Sequence, residues 1–492
     1  MNTSLPPGRL VMVNIDGKHL DDAQARFLAE HHIRAVCLFR GNIGTEQEVR
    51  QLTADLRAVM GPQALIGIDQ EGGAVVRVTF LPQAPSAMAL GAANDEELAE
   101  SVGAAIARGL KSLGINWNFA PVLDVNNNPA NPVIGERSFG DDPDLVTRLA
   151  GAWMRGALRE GVACCVKHFP GHGDTHVDSH HNLPIVDKSL AELNALELVP
   201  FHKLRRETPA IMTAHIVYPQ LDPEYPATLS RQMLGRVLRE DISYEGVVIT
   251  DSLRMKAIHN RFGHERAAPL ALQAGADMVM ALGSREDQLG ALRAIERALD
   301  DGTLTPAQLA CSNTRLDTLA THYPLGAGDY TTSQRDRDNA LMYHAWAQGL
   351  TTLHNAQPPS PHQPLRVFTQ AAVPSDGVSE AGLGSQEIAT LFQGFTGVEI
   401  TPLTNLTELD WSRVPHDGRA TIVVSNVRER YGAAARSWKP DLHLILWNPF
   451  QALDVQTPSV ITWGYAEGAL RALKNWLEGR ATSLGVAPVS LT

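Results

Sequence analysis

Short apolar runs alternate with amphipathic stretches through the first 300 residues of the chain. Apolar runs lie at residues 10–15, 35–39, 64–68, 122–125, 162–166, 210–213, 246–249 and 277–282. They are continuous rather than alternating, the pattern of strands covered on both faces. Between them, residues 46–59, 143–159, 190–206, 231–240 and 286–299 space their apolar positions with a helical period. About eight strand–helix alternations in roughly 300 residues predict an α/β fold, a (β/α)8 TIM-like barrel. A doubly wound open sheet is the alternative at this level.

The rhythm breaks at residues 323–332. A helical stretch at 336–353 and a proline-rich segment at 358–364 follow. Strand-like runs resume at 365–369, 420–425, 442–447 and 460–463, and 466–477 reads as an amphipathic helix. The pattern predicts a catalytic-sized barrel domain over 1–330 and a smaller α/β sandwich domain over 331–492.

Composition narrows the function classes. A net charge of −12 argues against nucleic acid as the partner, because such proteins carry a basic footprint. Residues 1–8 show neither a basic nor an apolar leader pattern, and no apolar run reaches membrane-spanning length. The expectation is a cytoplasmic protein with no membrane partner. Cys37, Cys164, Cys165 and Cys311 show no CxxC spacing and read as reduced, buried thiols rather than zinc ligands.

Chemistry concentrates just after the strand-like runs. Residues 167–180 read Lys-His-Phe-Pro-Gly-His-Gly-Asp-Thr-His-Val-Asp-Ser-His. Three further segments are Asp69-Gln70-Glu71-Gly72-Gly73 with Arg77, Thr213-Ala214-His215, and Thr250-Asp251-Ser252. In a barrel all four converge on the rim at the C-terminal ends of the strands. Asp251 could be a nucleophile, a metal ligand or a helix N-cap. Asp178 and His180 would share a side if their segment is extended, and a carboxylate on an imidazole makes a general acid/base. His168, His172, His176, His180 and His181 have spacings that would suit metal ligands on a helix, but Pro170 and the glycines argue against a helix there. There is no phosphate-loop motif.

Lys167 to Gly173 followed by Asp178-Ser179-His180 resembles the signature of glycoside hydrolase family 3, in its bacterial β-N-acetylglucosaminidase branch. Residues 67–73 with Arg77, 118–125, 137–140 and 271–278 are similar to other segments of that family. The resemblance covers most of residues 10–300. It implies a retaining exo-β-N-acetylglucosaminidase, a hydrolase acting on peptidoglycan-derived muropeptides or other GlcNAc-containing glycans, with no cofactor and no catalytic metal. It implies Asp251 as nucleophile, His180 as acid/base and Asp178 as its partner. Asp69, Arg77, Arg137, Lys167 and His168 would bind the sugar. Residues 447–450, 463–465 and 485–489 resemble the second domain of two-domain members, here expected to add no catalytic side chain. A β-N-acetylglucosaminide phosphorylase or a family 3 β-glucosidase is the alternative enzyme, and a non-catalytic sugar-binding protein the alternative of another class.

Overall fold

The computed structural model describes residues 6–180, 182–326 and 328–491. Eight strands form the first unit: β1 (Val11–Asn14), β2 (Ala35–Leu38), β3 (Leu65–Ile68), β4 (Trp117–Asn118), β5 (Ala163–Phe169), β6 (Ala210–Thr213), β7 (Val247–Ser252) and β8 (Met278–Met280). They pair in sequence order, every pair parallel, and β8 returns to β1 to close the barrel. The strands are buried along almost their whole length, as their unbroken apolar runs require. Gly67 of β3 is needed inside the ring, because a Cβ there would stand 2.3 Å from the Phe119 ring.

The fourth strand lies elsewhere than its apolar run suggested. Residues 122–125 form no strand; Val122 makes only an isolated bridge to Lys167. Pro121 has no N–H to give a ladder, so pairing stops after Asn118 and resumes singly, with Leu123 N donating to Lys167 O at 2.6 Å. The stretch 190–206 is two helices, Leu190–Ala195 and Val199–Leu204, broken before Pro200. Residues Gln232–Asp241 wind as a π-helix. Cys311 is exposed on the helix Pro306–His322, contrary to the expectation of four buried thiols; Cys37, Cys164 and Cys165 are buried in strands.

The helix expected over 336–353 spans Thr332–Gly349, and the chain then turns extended into β9 (Thr351–Leu353). β10 (Leu365–Gln370), β11 (Val398–Leu403), β12 (Ala420–Ser425), β13 (Leu442–Ile445) and β14 (Ser459–Ile461) complete a six-stranded sheet in the order β11-β10-β12-β13-β14-β9. β9 is antiparallel to β14, and the other pairs are parallel. β11 has no continuous apolar run because it is a half-exposed edge.

The sheet is fastened to the barrel by a shared apolar core. Met88 and Ala89, on the helix Ala87–Ala93, pack with Trp346, Ile461 and Trp463. Polar atoms inside that contact are paired: Ser86 Oγ donates to Trp463 O at 2.6 Å, and Trp346 Nε1 to Gln83 O at 3.1 Å. Farther along, Trp447 Nε1 donates to Glu136 Oε1 at 2.8 Å, and Arg428 Nη2 to Val133 O at 2.6 Å. These bonds hold the barrel loop that carries Arg137 against the C-terminal sheet.

Candidate active site

A cavity of about 580 Å³ opens at the C-terminal ends of the barrel strands. Every strand or the residue just beyond it contributes to its wall: Asn14, Phe39, Asp69, Phe119, Lys167, Met212, Asp251 and Met280. Glu71, Arg77, Arg137, His168 and His180 line it too, as do Gly377 and Val378 from the C-terminal part. Seven of the eight residues named from the sequence therefore face one space, and the eighth, Asp178, sits behind His180.

The floor is a network of opposite charges. Glu71 binds Arg137 in a fork, with Nε to Oε2 at 2.9 Å and Nη2 to Oε1 at 2.8 Å. Lys167 Nζ lies 2.7 Å from both Glu71 Oε1 and Asp69 Oδ1. Burial disfavours the Glu71 anion, but Arg137 and Lys167 outweigh it and hold the carboxyl far below the usual range. Burial likewise opposes the charge on Lys167, and Asp69 and Glu71 more than restore it. Arg77 reaches Asp69 Oδ2 at 3.9 Å and Glu380 Oε1 at 3.2 Å. Lys167, Arg77 and Arg137 are thus fixed in place while their remaining donors line the cavity.

Asp124 anchors the histidine loop. Its side chain is fully buried; Oδ1 accepts from His168 N at 3.1 Å and His172 N at 2.7 Å, and Oδ2 lies 2.7 Å from His168 Nδ1. Burial works against this anion, and His168 outweighs it, so its pKa stays below the ordinary value. Gly173 lets the loop lie directly on the backbone of the 122–125 segment, since a Cβ there would stand 1.8 Å from Val125 O.

His172 is buried between Thr175 Oγ1 at 2.8 Å and Ser179 Oγ at 3.0 Å, and burial pushes its pKa down to about 4. An unfolded imidazole titrates near 6.5, so between the two values the unfolded chain binds a proton that the fold does not. Stability therefore falls as pH is lowered from about 6.5 to about 4, by about 3 kcal/mol from this residue, and the loss stops growing below the folded value. Urea unfolding at pH 7 and pH 5 should show the drop, and His172→Gln should flatten it; an unchanged slope in the variant would contradict this assignment.

Asp178 and His180 do not lie on an extended segment as expected. They sit in a turn in which Asn182 N donates to Asp178 O at 3.0 Å. Asp178 Oδ1 accepts from His180 N at 2.8 Å and lies 2.8 Å from His180 Nδ1. The turn, not strand alternation, puts carboxylate against imidazole. This fixes the hydrogen on Nδ1 and leaves Nε2 for proton transfer. His181, the last of the histidine series, lies outside the described residues.

Asp251 is the penultimate residue of β7 and caps no helix. Its Oδ1 accepts from Ser252 N at 2.6 Å, while the next helix, Lys256–His259, begins after Met255. Burial disfavours the anion, but the imidazoles of His215, His168 and His180 and the Ser252 N–H outweigh it, placing its pKa below the usual carboxylate value. His215 is buried, with Nε2 donating to Ser252 O at 2.9 Å and Nδ1 2.8 Å from Thr228 Oγ1. It fixes the backbone that carries Asp251.

Glu71, Asp124, His215 and Glu380 were not singled out from sequence. Glu71 and His215 lie within rim segments, and Asp124 within an apolar one, so proximity to a motif was their only signal. Glu380 had none.

Fold and rim together define an enzyme of the glycoside hydrolase class, built on a (β/α)8 barrel. Residues 7–319 match the glycosyl hydrolase family 3 N-terminal domain. A β-hexosaminidase of Neisseria meningitidis serogroup C (strain 053442) is 36% identical over 337 residues, 67% of this chain and 92% of the relative. β-Hexosaminidase A of Pseudoalteromonas piscicida is 37% identical over 334 residues, 61% of this chain and 55% of that longer protein. The solved structure of a glycoside hydrolase family 3 β-N-acetylglucosaminidase from Paenibacillus sp. str. FPU-7 is 32% identical, with a TM-score of 0.89 covering 100% of this chain and 99% of that one. The chain belongs to glycosyl hydrolase family 3. Among the described residues, no helix is long and apolar enough to cross a membrane.

Proposed function

We propose that the protein is a retaining exo-β-N-acetylglucosaminidase that removes non-reducing-terminal β-linked GlcNAc from peptidoglycan-derived fragments. The observation that carries this reading is the pairing of Asp251 with the Asp178–His180 dyad around one cavity floored by Asp69, Lys167, Glu71 and Arg137. The names of the similar β-hexosaminidases and of the Paenibacillus β-N-acetylglucosaminidase support the choice of sugar.

In the proposed reaction the Asp251 carboxylate attacks the anomeric carbon as the protonated Nε2 of His180 gives its proton to the departing oxygen. A glycosyl ester forms and the aglycone leaves neutral. Water then attacks the anomeric carbon, His180 takes the water proton, and the bond from that carbon to Asp251 breaks to release the carboxylate. Asp178 steadies the imidazolium of the first step. Retaining glycosidases usually use two carboxyl groups. A neutral imidazole avoids placing a second anion beside the glycosyl ester. Asp69, Arg77, Arg137, Lys167 and His168 are assigned to hold sugar hydroxyls and the acetamide through the donors and acceptors that the charge network leaves open.

All three reacting groups belong to the barrel part, which we place at 1–330, with 331–492 as the second domain. The loop carrying Gly377, Val378 and Glu380 shapes the cavity mouth without reacting. We assign the enzyme to the cytoplasm, a reducing compartment compatible with four free cysteines.

The substrate assignment is tested on a GlcNAc–anhydroMurNAc fragment beside the matching β-glucoside. The expected preference for the GlcNAc substrate in kcat/KM is at least about 100-fold, because acetamide-binding groups would stay unpaired with glucose. Equal rates would contradict it, and a glycosyl phosphate product in phosphate buffer would make the enzyme a phosphorylase.

His180→Ala should slow substrates with poor leaving groups by about 10²–10⁴-fold and activated aryl glycosides far less, since the latter need little protonation. Azide or formate should restore part of the second step. Equal losses on both kinds of substrate would remove His180 from the acid role.

A further inference from the structure

Behind the wall of the cavity, three ligand-type side chains from three helices converge. His259 ends the helix Lys256–His259, His264 opens Gly263–Ala274, and Asp287 lies in the first turn of Arg285–Asp300. One ligand atom of each lies within 4.8 Å of the other two.

The geometry at His264 resembles that of a metal-binding imidazole. The residue is 3% exposed, and its Nε2 donates to Leu282 O at 2.7 Å, which puts the hydrogen on Nε2 and the lone pair on Nδ1. That buried Nδ1 has no hydrogen-bond partner among the described residues. It faces Asp287 Oδ1 at 3.7 Å, too far for a hydrogen bond and close to the spacing of two ligands on one tetrahedral ion. Asp287 divides its oxygens: Oδ2 accepts from Ser284 N at 2.9 Å and Ser284 Oγ at 2.8 Å, leaving Oδ1 on the side of His264. The His259 ring lies edge-on to that of His264, with centroids 5.5 Å apart, and is exposed, so an ion can enter from solvent.

We propose that His259, His264 and Asp287 bind a divalent transition-metal ion of the zinc class, with two imidazole nitrogens, one carboxylate oxygen and a solvent position. Two imidazoles select against calcium and magnesium, which prefer oxygen ligands. The site is separate from the catalytic residues but mechanically close to them. His259 follows Asp251, Ser252, Arg254 and Met255 of the cavity wall, and Leu282 and Gly283 of the same wall precede Asp287. A bound ion would tie the loop after β7 to the loop after β8.

The test uses the full-length enzyme, stripped with a chelator and titrated with Zn²⁺, with Co²⁺ as the spectroscopic probe. The expected result is one Zn²⁺ per chain, a raised thermal midpoint, and a Co²⁺ visible band typical of four-coordinate nitrogen–oxygen ligation. His259→Ala, at an exposed position, should fold normally and bind Zn²⁺ at least about tenfold more weakly, with loss of the Co²⁺ band. Asp287→Asn should do the same. Absence of stoichiometric Zn²⁺ binding would overturn the proposal. So would binding that survives His259→Ala and disappears in His180→Ala, which would put the ion in the catalytic cavity instead.

Discussion

Asp251→Asn is expected to lower kcat on an aryl β-N-acetylglucosaminide by at least about 10⁴-fold while the protein stays folded. Asp251 is held as an anion by His215, His168, His180 and the Ser252 N–H against the cost of its own burial. An amide of the same shape cannot form the glycosyl ester, and the carboxylates at the cavity floor are committed to other partners. Glu71 is locked between Arg137 and Lys167, and Asp124 between His168 and His172. Asp69 is held by Lys167. Because the groups around Asp251 outweigh its desolvation cost, the anion stabilises the fold, and its loss should lower the thermal midpoint modestly without unfolding the protein. In the truncated variant Asp251→Ala, azide should restore turnover by attacking the face that the carboxylate vacates, giving the α-glycosyl azide. Wild-type-like kcat, or a collapse of the thermal midpoint, would contradict the assignment.

Glu71→Ala is expected to cost about 4 kcal/mol of unfolding free energy at pH 7, the scale for breaking a buried ion pair by removing one partner. Arg137 and Lys167 side chains are only 6% and 3% exposed, and both would be left cationic without their shared anion. The pH dependence has a definite sign. The Glu71 pKa is depressed in the fold, so its stabilisation is present above the unfolded carboxyl value near 4.3 and is lost as pH falls toward the folded one. Urea unfolding of the variant at pH 7 measures the effect; a loss below about 1 kcal/mol would show that the network is not held together by Glu71. Glu71→Gln keeps hydrogen bonding but not charge and should fall between the two.

The barrel strands were legible wherever burial on both faces leaves a continuous apolar run, as in β2, β3 and β6. β4 was not, because it is two residues long and ends before Pro121, while the apolar run beside it makes only one isolated bridge. β11 was hidden for the opposite reason: an edge strand half in solvent has no apolar signature. Among site residues, Asp251 and Lys167 announce themselves by closing apolar runs. Asp178 and His180 were legible as a pair, although the turn that joins them was not. Glu71 and Arg137 are 66 positions apart and Arg77 and Glu380 are 303 apart, so their pairing exists only after folding. Glu380 comes from a loop of the C-terminal part with no motif of its own. Its backbone is tied down by Glu380 N to Ala74 O at 2.9 Å and Tyr465 OH to Glu380 O at 2.9 Å.

Trapping the glycosyl-enzyme intermediate distinguishes a covalent double displacement on Asp251 from every other course of the reaction. A 2-deoxy-2-fluoro glycoside with an activated leaving group slows breakdown of the glycosyl ester more than its formation. Incubated with the enzyme, digested and mapped by mass spectrometry, it should add one sugar to the peptide containing Thr250-Asp251-Ser252, with the modification on Asp251. A label on Asp69, Glu71 or Asp124 would contradict the account, as would turnover without any label together with release of the inverted α-sugar.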